Sequence, residues 1–348
     1  MSPVELSRPR RPILIAALVV ILIVAAVVAV ILSREGREVP TPTPFLSPEL
    51  FTSPLPATSP TPLSLEPRGL VAFHSDRGGN LDIWVMRDNG TDLRQLTTDP
   101  ERDIEPDWSP DGRQIAFVSG RADPLDVQLY LMNADGSEQR PLLPFVAADH
   151  LSPRWSPDGQ AIVFYTNRDG NFEVYVTDLA GTQVVNLTQH PADDMTPAWS
   201  PDGRQLVFSS NRGGASNLYI MNADGSGLRQ LTSGDWLDTR PDWSPDGQQI
   251  VFVSNRLGPL GLWSVSVEGG DPVPISDDVR VGNRDPRWAG PKMLLFSSDR
   301  VRGLWAIYRM DAEGKEVYAL TYGANLDGGP AWTGAAAEHS GLSEQRSS

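Results

Sequence analysis

Residues 106–121 read Pro-Asp-Trp-Ser-Pro-Asp-Gly-Arg-Gln-Ile-Ala-Phe-Val-Ser-Gly-Arg, and variants of this sequence return along the chain. The tryptophan recurs at intervals of 47, 44, 44, 45 and 44 residues, always with a proline two positions before it. The six tryptophans are Trp108, Trp155, Trp199, Trp243, Trp288 and Trp332. Self-similarity at such a period indicates that this part of the chain is built from structural repeats.

Two further series run in phase with the tryptophans. Each unit has a phenylalanine that is followed four residues later by an arginine: Phe73/Arg77, Phe117/Arg121, Phe164/Arg168, Phe208/Arg212, Phe252/Arg256 and Phe296/Arg300. Each unit also has a later aromatic residue, which we take to be Trp84, Tyr130, Tyr175, Tyr219, Trp263 and Trp305. We expect the aromatic rings to fill the space between units. We expect the arginine to pair with the carboxylate of the Pro-Asp-Gly turn or to stack on an aromatic ring.

Every unit contains the pattern of four short strands. The first ends at Pro-x-Trp, and Pro-Asp-Gly then supplies turn chemistry, because proline presets the bend and glycine accepts positive φ. The second strand is β-branched and aromatic, as at residues 115–119, and the third resembles residues 218–222. An Asp-Gly hairpin leads to a short polar fourth strand. Four strands in 40–50 residues are typical of a β-propeller blade.

The two ends of the repeat region complement each other. The first unit begins at its second strand, near Leu70, whereas the last unit is followed by a lone first-strand sequence, Pro330-Ala331-Trp332. We therefore predict an all-β fold, a six-bladed β-propeller of four-stranded blades over residues 68–333, closed by the C-terminal strand. Closure would hide strand edges that otherwise invite aggregation. Residues 334–348 are predicted to form a disordered tail.

The repeated pattern resembles the TolB-type β-propeller repeats, which are WD40-like and also known as PD40. The resemblance covers residues 68–333. Two turns depart from the pattern, Trp288-Ala289-Gly290-Pro291 and Gly269-Gly270, and we interpret them as turn variants. The same propeller type precedes the catalytic domain of prolyl-oligopeptidase-like peptidases, but this chain has no Gly-x-Ser-x-Gly sequence.

The N-terminal part of the chain has a different character. Residues 13–32 form an unbroken apolar run of 20 residues, about the length of a membrane-spanning helix. Three arginines precede this run, whereas two arginines and two glutamates follow it, which favours a cytoplasmic location for residues 1–12. A cleaved signal peptide is the alternative, although its apolar region is usually shorter. Residues 33–67 are rich in Pro, Ser and Thr and predict an extended linker. These features predict a single-pass protein of the cell membrane with an extracytoplasmic propeller.

Composition excludes several classes of function. The chain has no cysteine, so disulfides, thiolate metal sites and cysteine nucleophiles are excluded. Its formal net charge is −15, which argues against binding to nucleic acid through phosphate neutralisation. Residues 1–67 carry five Arg and five Glu, which cancel, so the negative charge belongs to the repeat region and the tail.

One position of the repeat is a candidate site. The residues five positions before each tryptophan are Asp103, His150, Asp194, Asp238, Asn283 and Asp327. The resemblance implies that they encircle one mouth of the central channel, because TolB-type chains enter each blade there at its innermost strand. Gathered carboxylates raise one another's pKa unless a cation neutralises them, and their oxygen atoms would suit Ca²⁺. The alternative is that each aspartate caps the turn before Pro-x-Trp.

Two functions remain open at this point. The first is a monomeric binding module of the cell envelope, whose channel mouth takes a protein, peptide or glycan and needs no cofactor. The alternative is a metal-assisted lyase or hydrolase with its site around His150, Asp194 and Asp238. A transition-metal site normally takes two or three nitrogen ligands. The single histidine at the mouth therefore favours the binding module, and we assign no catalytic residue.

Overall fold

The computed structural model describes residues 68–275, 281–301 and 303–334, which form 24 β-strands. The predicted membrane helix at 13–32, the linker at 33–67 and nearly all of the tail at 334–348 lie outside these described residues. Within the described ranges no helix has the length and apolarity that a bilayer crossing requires. The assignments of the membrane helix, the linker and the tail therefore stay predictions.

The strands form six four-stranded antiparallel sheets, the blades, in which consecutive strands lie side by side. The innermost strands are β4 (Asp103–Trp108), β8 (His150–Trp155), β12 (Asp194–Trp199), β16 (Asp238–Trp243), β20 (Asn283–Trp288) and β24 (Asp327–Thr333). The second strands are β1 (Leu70–Ser75), β5 (Gln114–Ser119), β9 (Ala161–Thr166), β13 (Gln205–Gly213), β17 (Gln249–Ser254) and β21 (Met293–Val301). The third strands are β2 (Asp82–Arg87), β6 (Gln128–Asn133), β10 (Glu173–Asp178), β14 (Ala215–Asn222), β18 (Gly261–Ser266) and β22 (Leu304–Asp311). The outermost strands are β3 (Arg94–Gln95), β7 (Arg140–Pro141), β11 (Val184–Asn186), β15 (Arg229–Gln230), β19 (Val273–Pro274) and β23 (Tyr318–Ala319).

The ring closes through a blade that both ends of the propeller share. Blade 1 has the strand order β24-β1-β2-β3, and blades 2 to 6 follow in chain order. Strand β24 pairs antiparallel with β1, so that Thr333 lies opposite Leu70 and Asp327 lies opposite Ser75. Each innermost strand contacts the innermost strand of the next blade, and β20 contacts β24 to complete the circle. The predicted blade count and mode of closure are confirmed.

The repeated aromatic residues build the core, as predicted. All six repeat phenylalanines are fully buried, and Phe117 of blade 2 packs in one cluster with Ile83 and Val85 of blade 1. One expectation was wrong: the partner of Phe296 in blade 6 is Tyr308, and Trp305 does not occupy that position. The reason is that the β21–β22 hairpin extends further than most, so the aromatic residue comes later in the third strand.

The two faces of the ring have different loops. The upper face is where the innermost strands begin, and it carries the connections from each fourth strand to the next blade and from each second to each third strand. The lower face carries the Ser-Pro-Asp-Gly turns and the hairpins between third and fourth strands. In these turns the aspartate accepts a hydrogen bond from the serine, as Asp111 Oδ1 does from Ser109 Oγ at 2.7 Å. The turn carboxylate is thereby engaged locally.

Candidate functional site

The six predicted mouth residues begin the innermost strands at the upper face, and each binds the repeat arginine of its own blade. The donor-to-acceptor distances are 2.8 Å for Arg77–Asp327, 2.6 Å for Arg121–Asp103, 2.8 Å for Arg168–His150, 2.7 Å for Arg212–Asp194, 2.7 Å for Arg256–Asp238 and 3.1 Å for Arg300–Asn283. At most 2% of each mouth residue is exposed. The structure therefore brings these residues into six separate buried pairs.

The arginine has a second contact within the blade. The guanidinium of Arg121 lies 4.9 Å from the ring centroid of Tyr130 and 5.5 Å from that of Phe117. The predicted stacking on aromatic rings is confirmed. The predicted pairing with the Pro-Asp-Gly carboxylate was wrong, because Arg121 follows the upper end of β5 whereas Asp111 precedes its lower end. A six-residue strand separates them by about 20 Å.

This arrangement changes the electrostatics expected for the mouth. Each carboxylate has a guanidinium within hydrogen-bond distance, so the charges are compensated inside each blade. Burial raises the pKa of Asp103, while Ser119 and Arg121 oppose the rise. The pKa of His150 falls to about 4 because of burial and the nearby charge of Arg168. A role of the six residues in binding a ligand or Ca²⁺ stays a prediction.

Both ring nitrogens of His150 have partners. Nδ1 donates to the carbonyl oxygen of Ala148 at 3.1 Å, and Nε2 accepts from Arg168 at 2.8 Å. A metal ion could bind this imidazole only by displacing one of these partners. Within the described ranges, no group of three or more histidine or carboxylate side chains is placed to hold a metal ion.

The wall of the channel is formed by a position that the sequence reasoning missed. The third residue of every innermost strand has a positive φ between 48° and 57°, and the register shifts at this point in each blade. These residues are Glu105, Ser152, Thr196, Arg240, Asp285 and Gly329. No two of them are the same. In aligned repeats this position, like the one before it, differs in every unit, whereas the proline that follows it is the same in all six.

The side chains of this layer bind one another across the channel. Arg240 donates to Asp285, and its guanidinium nitrogen lies 3.8 Å from Glu105 Oε1. The other carboxylate oxygen of Glu105 accepts from the backbone nitrogen of Ser152 at 2.8 Å and from its hydroxyl at 3.1 Å. The amide of Glu105 donates to Nδ1 of His74 at 3.3 Å. Residues of blades 1, 2, 3, 5 and 6 are thus joined at one level.

A second charged layer lies below the first. Arg287 Nη2 of blade 6 lies 2.6 Å from Asp107 Oδ1 of blade 2, two blades away, and Arg287 Nη1 lies 3.6 Å from Asp242 Oδ1 of blade 5. Arg154 lies 3.5 Å from the same Asp242 oxygen. Burial raises the pKa of Asp242 to about 6 although Arg154 opposes it. A cavity of about 40 Å³ remains in the channel, room for very few water molecules.

The surface of the upper face is apolar and acidic. Eight of the 14 exposed large hydrophobic side chains of the described residues lie in or beside its loops: Leu125, Phe145, Trp236, Leu237, Leu257, Val301, Tyr322 and Leu326. The same loops carry ten carboxylates: Asp76, Asp99, Glu101, Asp123, Asp126, Asp149, Asp169, Asp193, Asp235 and Asp299. Apart from the repeat arginines, Arg102 is the one further arginine or lysine in their described part.

Known proteins resemble this chain in sequence and in fold. The sequence model of the PD40 family, TolB beta propeller domain, matches residues 128–336. An uncharacterised protein of Agrobacterium fabrum is 35% identical over 78 residues, which span 21% of this chain and only 27% of that relative. TolB from Acinetobacter baumannii superposes with a TM-score of 0.65 at 22% identity, covering 76% of this chain and 66% of that structure. Oligogalacturonate lyase from Vibrio parahaemolyticus superposes with a TM-score of 0.51 at 14% identity, covering 71% and 73%.

The two structural likenesses fall below 25% identity and therefore bear on the fold alone. The family match is broader, since it covers more than half of the 348 residues and includes complete blades of the observed ring. The repeated Pro-x-Trp-Ser-Pro-Asp-Gly turns, the six four-stranded sheets and the match to the sequence model agree. This chain belongs to the TolB β-propeller (PD40) family.

Proposed function

We propose that the propeller is a binding module that takes a protein partner on its upper face. The observation that carries this proposal is the surface of that face, where exposed apolar side chains lie among ten carboxylates. Aromatic and aliphatic side chains in a polar surround are the usual centres of protein interfaces. By contrast, the lower-face hairpins expose three large hydrophobic residues, Leu93, Leu228 and Val317.

The charge of the upper face indicates the chemistry of its partner. Ten carboxylates against one further arginine attract basic segments, and this attraction accelerates encounter more than it adds affinity. Affinity would come from burial of the apolar side chains, above all Trp236, 43% of which is exposed. The partner is therefore a protein segment that carries basic residues together with apolar anchors.

The channel contributes rigidity to this module. Its two charged layers leave little space, and its carboxylates already have arginine partners. The alternative of a metal-assisted lyase or hydrolase receives no specific support from these contacts, because both nitrogens of His150 are engaged. We therefore place recognition at the rim of the upper face rather than inside the channel.

We also propose that the propeller is a monomer held on the outer side of the cell membrane. The apolar run at residues 13–32 and the proline-rich stretch at 33–67 support this location. A tether of this composition would let the upper face search for a partner at some distance from the bilayer, because proline-rich segments are extended.

Site-specific photo-crosslinking of the full chain in native membranes tests the proposal. A benzoylphenylalanine at position 236 or 257 samples the upper face. The same group at Leu228 is the matched control, because Leu228 is 44% exposed on the lower face. We expect one discrete partner adduct from positions 236 and 257 and none from 228.

The isolated partner then allows a quantitative measurement. We expect Trp236→Ser combined with Leu257→Ser to weaken its affinity by roughly tenfold or more, as loss of an interface anchor does. Leu228→Ser should leave the affinity unchanged. Equal adducts from both faces, no adduct at all, or an unchanged affinity of the double variant would contradict the proposal.

A further inference from the structure

On the lower face, the Ser-Pro-Asp-Gly turn of one blade packs against the same turn of the preceding blade. Gly159 lies against Pro110 of the preceding blade, Gly203 lies against Pro157, and Gly247 lies against Pro201. A methyl group placed on any of these glycines would lie 3.7–3.8 Å from the nearest proline atom, which is ordinary contact. The Ser-Pro-Asp-Gly turns of blades 2 to 5 therefore form a continuous row of contacts on the lower face.

This row of turn contacts does not continue through blades 6 and 1. In blade 2 the register pairs Trp108 with Ile115, seven residues on, whereas in blade 6 it pairs Trp288 with Leu294, six residues on. The turn of blade 6 is thus one residue shorter and lacks the serine–aspartate hydrogen bond. Blade 1 has no such turn, because its innermost strand β24 and its second strand β1 belong to opposite ends of the propeller.

The interruption leaves a cavity of about 690 Å³ between blades 6 and 1, which we call the seam cavity. Its lining residues are Arg68, Asp88, Ala289, Gly290, Pro291, Lys292, Met293, Arg309, Glu316 and Trp332. Ligand sites in proteins usually measure about 300–1,000 Å³ and have mainly apolar walls with a few polar groups. Trp332, Met293 and Pro291 supply such a wall here.

The charges around the seam cavity favour an anion. The carboxylate of Asp88 is buried and already accepts from the backbone nitrogen of Arg68 at 3.1 Å and from Trp332 Nε1 at 3.4 Å. Arg309 is held by the carbonyl oxygen of Asp88 at 3.3 Å. Among the described residues neither Arg68 nor Lys292 has a side-chain ion-pair partner. The three cations Arg68, Lys292 and Arg309 thus outnumber the two lining carboxylates, Asp88 and Glu316, around an apolar wall in a chain whose net charge is −15.

We propose that the seam cavity is a binding site for an apolar anion, a small molecule with one negatively charged group on an aromatic or aliphatic body. Lys292 and Arg68 contact the charged group, and the body lies against Trp332 and Met293. The site is separate from the upper face, so it can hold its ligand whether or not a partner protein is bound there.

Titration calorimetry of the full chain in lipid nanodiscs with 2-naphthalenesulfonate as the probe, against empty nanodiscs, tests this proposal. We expect one saturable site per chain. Lys292→Met should weaken binding at least fivefold. Lys315→Met is the matched control, because Lys315 is the other lysine of the chain and does not line the cavity.

A second variant fills the cavity with a longer turn, which keeps a cation in place of Lys292 and adds the aspartate of the other blades. Residues 289–292 are replaced by Ser-Pro-Asp-Gly-Arg, the sequence of residues 109–113, which restores the turn of the other blades. We expect this variant to lose the site while keeping its thermal unfolding midpoint within a few degrees and its upper-face crosslinks. The proposal is overturned if the wild-type chain shows no saturable site, if the turn-restored variant binds as well as the wild type, or if Lys315→Met and Lys292→Met weaken binding equally.

Discussion

Two positions of the innermost strands lie only two residues apart and behave in opposite ways. The first residue, such as Asp238, binds the arginine of its own blade, and this contact recurs in all six blades. The third residue, such as Arg240, differs in every blade and binds residues of other blades. The recurring first residue therefore stabilises its own blade, whereas the variable third residue joins different blades to one another. Substitutions at each position can separate these two levels of organisation.

The largest effect is expected at the repeated position. Asp238→Ala removes the partner of Arg256, a side chain that is only 10% exposed, and leaves its charge buried. We expect the free energy of unfolding in urea to fall by about 3–5 kcal/mol. Asp238→Asn should lose less than half as much, because blade 6 naturally uses Asn283 at this place. A loss below about 1 kcal/mol for the alanine variant would contradict the structural role of the pair.

A smaller effect is expected across the channel. Arg287→Leu leaves Asp107 and Asp242 without their shared guanidinium, but both carboxylates keep backbone amide donors, Trp155 at 2.8 Å and Trp288 at 2.9 Å. We expect a loss of about 2 kcal/mol in the free energy of unfolding.

A double-mutant cycle shows whether this loss comes from the pair itself. Arg287→Leu and Asp107→Leu, alone and together, should give a coupling energy above about 0.5 kcal/mol. Additive losses would mean that the Arg287–Asp107 pair of the second charged layer does not hold blades 6 and 2 to one another.

The smallest effect concerns the one blade whose repeated position is a histidine. The folded-state pKa of His150 is about 4, below its ordinary value of 6.5, so the unfolded chain binds the proton more tightly. The contribution of the neutral His150 side chain to the free energy of unfolding is therefore complete above pH 6.5 and is lost as the pH falls towards 4. His150→Asp, which supplies the carboxylate found in four other blades, should reduce the loss of unfolding free energy between pH 7.5 and 5 by ~1–2 kcal/mol.

Urea unfolding of both proteins at the two pH values measures this difference. His74, whose pKa is also lowered to about 4 by burial, is present in both proteins and cancels in the comparison. Equal pH dependence of the two proteins would show that His150 does not titrate on unfolding in this range.

Periodicity in the sequence was sufficient to predict the ring. The spacing of the tryptophans predicted six blades, and the lone Pro330-Ala331-Trp332 predicted closure, because strand edges must be paired somewhere. The aromatic partner in blade 6 was assigned wrongly because one additional hairpin residue, compared with blades 1, 3, 4 and 5, shifts the register without changing the repeat length much. The repeat spacing predicts which strands exist, but it does not predict the length of each hairpin.

The site was less accessible to the same reasoning. A common spacing placed Asp103 and its equivalents correctly at the start of the innermost strands, but their burial and their arginine partners follow from packing between strands. The channel wall depends on a left-handed residue in each strand, and non-glycine residues such as Glu105 and Arg240 give no local signal for that conformation. The exposed residues of the upper face lie in loops, where no periodicity applies.

The shared blade also sets the order in which the molecule can be completed during synthesis. Strand β1 cannot pair on its inner side until β24 has been made, more than 250 residues later. At roughly 5–20 residues per second, β1 waits about 10–50 seconds with an open edge. A chain that is cut short before Asp327 keeps that edge for good. Errors near the C-terminal end of the propeller should therefore be more prone to aggregation than their small number of lost contacts implies.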